Sequence, residues 1–98
     1  MTYDSRNNDD LTSFRSEINR LDEELIKILS KRLEVCSRVA SYKSKHGIAM
    51  MQPDRVEEVK NRCAQMAAIN GLDRDFTRDI YGRIIDEACK LETRIMEL

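Results

Sequence analysis

Over residues 11–42 the apolar side chains recur at alternating steps of three and four: Leu11, Phe14, Ile18, Leu21, Leu25 and Ile28, then Val35, Val39 and Tyr42, with Arg32 standing in the same register. Such spacing predicts one long helix with a seam along one face. Asp10 or Thr12 can cap its start, and it should stop near His46 and Gly47, where glycine accepts the left-handed conformation that ends a helix. A helix over residues 11–46 is about 54 Å long. A compact domain of this size has a radius of gyration of only about 13 Å, so the helix overhangs its own domain. About 45 further helical residues cannot sheath a seam of that length, and the exposed stripe should be buried against a second copy, most simply in a twofold dimer. The expected fold is all-α: interlocked three-helix protomers, each with one very long first helix, in a homodimer.

The rest of the chain agrees with helix. With 98 residues there is one domain at most, and three glycines, one proline and 5% aromatic residues offer little to turns or strands. Residues 1–10 lack apolar periodicity and are rich in Asn and Asp, which reads as a disordered tail before a helical domain over residues 11–98. After a short loop at residues 47–52, Pro53 suits the first turn of a second helix, because its missing N–H would be unpaired there anyway. Val56, Val59, Cys63, Met66 and Ala67 then share a face, and Asn70-Gly71 supplies the stop. Asp73 is placed to cap a third helix whose seam is Phe76, Ile80, Ile84, Ala88, Leu91 and Ile95.

Charge and cysteine content exclude several classes. Seventeen basic and 18 acidic residues leave a formal charge of −1, so nothing in the total favours nucleic acid or an anionic membrane. Cys36, Cys63 and Cys89 match no metal-ligand spacing and read as reduced thiols. The polar N-terminus and the absence of any long apolar run point to a cytoplasmic protein.

Arg32 is where the pattern breaks. A guanidinium in an apolar seam must meet an anion, snorkel to a rim or pair with a structural Glu, because it stays charged at any relevant pH. Lys43 lies eleven residues on and returns to nearly the same face, about 16 Å further along the helix. Arg15 lies seventeen residues before Arg32, about 25 Å away. It can therefore reach a shared small ligand only from the other chain of an antiparallel dimer. Arg55, just after Pro53, adds a fourth cation. Together they suit a dianionic small molecule, since bidentate guanidinium–carboxylate contacts fix orientation as well as charge.

These cations lie in FRSEINRLDEELIKILSKR, VASYKSKHG and QPDRVEEV, which are followed by GRIIDEACKLE. With that spacing the chain resembles the small all-helical chorismate mutases from about Leu11 to Glu97. The resemblance implies an intertwined dimer (the chorismate mutase type II fold) with two sites, each completed by the first-helix Arg15 of the other chain. It implies that Arg32 and the partner's Arg15 clamp the two carboxylates of an enol-pyruvyl substrate. Lys43 and Glu92 would bracket the ether oxygen, Arg55 would line the pocket, and Val39, Val59 and Ile85 would form apolar walls. A Glu donates a hydrogen bond only when protonated, which implies a proton held to unusually high pH or a rate that falls as pH rises. The reaction of that family is a pericyclic rearrangement within one molecule, so no cofactor, metal or nucleophile is expected.

Three positions depart from the family pattern. Ordinary members carry D-x-x-R-E at the start of the second helix, where this chain has Gln52-Pro53-Asp54-Arg55-Val56; the carboxylate that accepts the substrate's ring hydroxyl is missing. Ala88 stands where many members have Ser. The P-x-R-V form resembles a branch that includes 4-amino-4-deoxychorismate mutases of antibiotic pathways and isochorismate pyruvate lyases. Three readings follow: a mutase acting on chorismate or its 4-amino analogue, a lyase eliminating pyruvate from isochorismate, and a non-catalytic helical dimer that binds or regulates a larger partner enzyme. Service to aromatic amino acid synthesis or to a secondary metabolite stays open.

Overall fold

The computed structural model describes residues 5–97, which form three helices: α1 (Ser5–His46), α2 (Pro53–Ile69) and α3 (Arg74–Met96). No strand occurs among the described residues. Of the tail expected at residues 1–10, residues 1–4 lie outside the described residues. Residues 5–10 are the opening turns of α1 rather than irregular chain, so neither Asp10 nor Thr12 is its cap. The physical reason is cooperativity: extending an established helix costs far less than starting one, so Asn and Asp are carried along despite their modest propensity. The expected helix ends are otherwise met to within a residue.

By compactness the chain divides within α1 into two units, one ending at Arg32 and the other beginning at Leu33. In the first unit the only element is α1 up to Arg32, and its seam residues Leu11, Phe14, Ile18, Leu21, Leu25 and Ile28 are exposed by 44–62%. The second unit holds the last turns of α1 together with α2 and α3. Its buried residues are Ala40, Val59, Cys63, Ala64, Ala67 and Ala88, with Thr77 and Glu92. Small side chains at these positions let helix backbones approach closely. Among the described residues no large side chain is wholly buried. Met66, Phe76 and Ile80, expected on inward faces, are exposed, and so are Ile69 and Leu72 beside them. On the surface Arg78 joins α3 to α2, donating to Asn61 Oδ1 at 2.6 Å and to Glu57 Oε2 at 3.0 Å.

Two glycines stop helices. Gly47 (φ 65°) ends α1 and Gly71 (φ 77°) follows α2, in the left-handed region where a Cβ would clash with the backbone. The Ile48 N–H bonds the Lys43 carbonyl at 2.9 Å and the Leu72 N–H bonds the Ala67 carbonyl at 2.8 Å, the wide closing bond of a Schellman turn in both cases. At the start of α3, Asp73 Oδ2 accepts from the Phe76 N–H at 2.8 Å, while the Asp73 carbonyl accepts from Thr77 Oγ1 at 2.9 Å. Loss of such a cap costs about 1 kcal/mol. Asp73→Ala should therefore melt a few degrees lower while Asp73→Asn stays near the parent, measured by circular dichroism; equal melting of all three would show that the cap contributes nothing.

Candidate functional site

Lys43 is in the last turn of α1, where a cation also meets the negative end of the helix dipole. Its Nζ lies 3.7 Å from Glu92 Oε1 on α3 and donates to the Met50 carbonyl at 3.0 Å. Only 16% of the Lys43 side chain and 11% of the Glu92 side chain remain exposed. At this separation two unit charges attract by about 4 kcal/mol at an effective dielectric near 20, and removing both from water offsets much of that gain. Removing either partner would leave a shielded charge without compensation. An ammonium has three N–H donors; with the Met50 carbonyl accepting one, the others can face the carboxylate or a ligand.

Of the other residues expected at the site, Val59 and Ala88 are buried and Ile85 is half-buried, whereas Val39 is 40% exposed. Val56 is half-buried and carries no polar group toward any ligand. Gln52 and Arg55 lie at the start of α2, both exposed; they line an open cleft of about 550 Å³ with Pro53, Asp54 and Glu58. There Arg55 Nη1 donates to Glu58 Oε1 at 2.9 Å, one helical turn along. A second open cleft, of about 390 Å³, lies along α1 between Glu34, Ser37, Arg38, Ser41, Tyr42 and Lys45. Lys43 and Glu92 line neither of these two clefts. In the first unit Arg15 is exposed and Arg32 half-buried.

Three residues at this site were not singled out by the sequence reading. Cys89, half-buried on α3, shares its surroundings with the ion pair. Burial pushes its thiol above the usual value, with the charges of Glu92 and Asp86 acting in the same direction, Lys43 opposing, and Cys36 adding to the rise. The thiol is thus held neutral. Helical spacing contained this signal, since Cys89 precedes Glu92 by three residues and Cys36 precedes Lys43 by seven. Met50 contributes a backbone carbonyl, which has no sequence signature. Thr93 donates to the Met50 sulfur across 43 positions of chain. Among the described residues no group of His, Cys, Asp and Glu could hold a metal ion, and no helix is long and apolar enough to cross a membrane.

Comparison with known proteins adds to this geometry. Residues 14–93 match the family model described as chorismate mutase type II. The chain is 42% identical over 87 residues to a 4-amino-4-deoxychorismate mutase of Streptomyces venezuelae, a match covering 89% of this chain and 84% of that protein. It is 38% identical over 84 residues to a protein of the same name from Streptomyces pristinaespiralis, covering 86% of this chain and 65% of the relative. It is also 28% identical over 75 residues to an isochorismate pyruvate lyase of Pseudomonas aeruginosa, covering 76% and 73%.

The electrostatics of Cys89 can be checked directly. Its alkylation by iodoacetamide, followed by mass spectrometry, should need a higher pH than that of a free cysteine peptide, because the thiolate is the reactive form. Glu92→Gln should lower the midpoint, since one opposing carboxylate is gone. A parent midpoint at or below that of the free thiol would contradict this account.

Proposed function

The chain belongs to the chorismate mutase type II family, and within it we propose a mutase that rearranges 4-amino-4-deoxychorismate to 4-amino-4-deoxyprephenate. The observation that carries this reading is the shielded Lys43–Glu92 pair joining α1 to α3, in a chain whose relatives at 42% and 38% identity bear that activity in their names. In the rearrangement the ether C–O bond breaks as a C–C bond forms in the same molecule, and negative charge gathers on the ether oxygen. Lys43 donates to that oxygen from one side, and Glu92 on α3 flanks it from the other. Preorganised donors aimed at developing charge act most strongly where water is excluded.

Arg32 and the partner's Arg15 hold the two carboxylates and so select the chair-like conformer, in which the reacting carbons lie close. Arg55 turns from Glu58 to the substrate when the anion arrives. The exposed seam of the first unit supports an intertwined homodimer, because each chain then offers its Leu11-to-Ile28 stripe as a surface to bury. Val59, Ile85 and Val39 wall the ring. Val56 and Ala88 remove the two polar groups that an ordinary chorismate site would supply, and a site lacking an acceptor for a ring hydroxyl loses its main means of selecting that hydroxyl. The protein acts in the cytoplasm.

The test is to supply 4-amino-4-deoxychorismate, chorismate and isochorismate separately to the purified protein, following ring absorbance and pyruvate. Fastest loss of the 4-amino compound without pyruvate supports the proposal. Pyruvate and salicylate from isochorismate would instead select the lyase reading, which the Pseudomonas aeruginosa relative favours. No turnover of any of the three would leave a binding dimer.

Shared sites predict complementation. Arg15→Ala and Arg32→Ala homodimers should each lose at least about 100-fold in kcat/KM, equivalent to ~2.7 kcal/mol. Mixed heterodimers should regain part of the activity, since one of their sites carries both defects and the other neither; no regain would exclude a site built across subunits. Glu92→Gln, whose amide can donate to the ether oxygen, should keep more of kcat than Glu92→Ala, and equal losses in the two would remove Glu92 from the ether oxygen.

A further inference from the structure

The loop at residues 47–52 is tied to Lys43 at two points. The Ile48 N–H bonds the Lys43 carbonyl at 2.9 Å, and Lys43 Nζ donates to the Met50 carbonyl at 3.0 Å. Met50 is held in turn from α3. The single proton of Thr93 Oγ1 is shared between the Cys89 carbonyl at 2.8 Å and Met50 Sδ at 3.0 Å. Thr93 is half-buried and immediately follows Glu92. We propose that Thr93, acting through Met50, is a positioning residue for Lys43: its hydroxyl holds the Met50 side chain, the Met50 carbonyl holds the ammonium, and an N–H is thereby aimed at the substrate. The inference rests on Lys43 as donor to the ether oxygen.

The contact to Met50 is the short one. At 3.7 Å, Glu92 supplies charge but lies beyond ordinary hydrogen-bond length, so the carbonyl at 3.0 Å decides where the ammonium sits. A lysine has four rotatable carbons and loses about 2 kcal/mol of rotamer entropy when held still; restraint supplied before substrate arrives lowers that cost in the transition state. Methionine is unbranched with three free torsions, so an untethered Met50 would leave the loop free to shift. Back-bonding to a carbonyl four residues earlier is ordinary for a helical threonine. The sulfur contact is different, because it reaches 43 residues along the chain and no local helical preference produces it.

Thr93→Val keeps the shape and deletes the hydroxyl; Met50→Leu keeps the bulk and deletes the sulfur; Thr93→Ser restores the donor. In the full chain the first two should each lower kcat about fivefold, the scale of one net hydrogen bond, with KM within twofold and helical content unchanged. Thr93→Ser should recover most of the rate. The double variant Thr93→Val with Met50→Leu should be no slower than either single one, since both remove the same contact.

Two readouts need no turnover. The Met50 methyl carbon resonance should move in Thr93→Val, and acylation of Lys43 by acetic anhydride should speed up at least twofold as the ammonium is released. An unchanged methyl resonance and acylation rate in Thr93→Val would overturn the proposal, as would additive losses in the double variant. A parent protein that turns over none of the three substrates would sink the mutase reading alone, with the methyl and acylation experiments still deciding the tether.

Discussion

An ammonium shielded from water must be held by something, and in this chain much of the local architecture serves that need. Lys43 meets the dipole at the end of α1, a carboxylate on α3 and a carbonyl of the following loop. Its own carbonyl closes the turn that Gly47 makes possible. One residue thus joins a helix end, a loop and a neighbouring helix. Removing the charge would leave Glu92 buried without a cation, and an unpaired buried charge is costlier than no pair at all. The same economy suits catalysis, because a donor already immobilised need not be ordered when charge develops on a substrate oxygen.

The thiol beside this pair follows from the same electrostatics. A thiolate at Cys89 would face two carboxylates in a half-buried setting, so the proton stays on. A neutral thiol behaves as a small apolar side chain. It can stand next to an ion pair without competing for Lys43, and it adds no nucleophile to a site whose proposed reaction moves electrons within a single molecule.

The packing of the second unit explains why large apolar residues remain outside it. Alanines at 40, 64, 67 and 88 fill the centre, and such side chains have little area to remove from water. Met66, Ile69, Leu72 and Phe76 stay at least 47% exposed, which is unusual for side chains of that size in one neighbourhood. In the proposed homodimer this surface and the seam of the first unit are the available apolar areas. The physical driving force for association is therefore written into residues that the folded chain does not cover.

Much of this was legible in the linear chain because helix period, proline and glycine placement, and the cap at Asp73 act over a few residues. The three helices and their ends near Gly47, Pro53, Gly71 and Asp73 belong to that class. The start of α1 at Ser5 did not follow, because cooperative extension overrides the local preference of Asn and Asp. Tertiary structure alone decided that the Met50 carbonyl receives the lysine and that Thr93 touches a sulfur 43 residues away. Backbone carbonyls carry no residue identity, and contacts between distant segments depend on how helices meet. Periodicity determines which face of a helix is apolar; only packing determines which atom across the gap a buried charge will find.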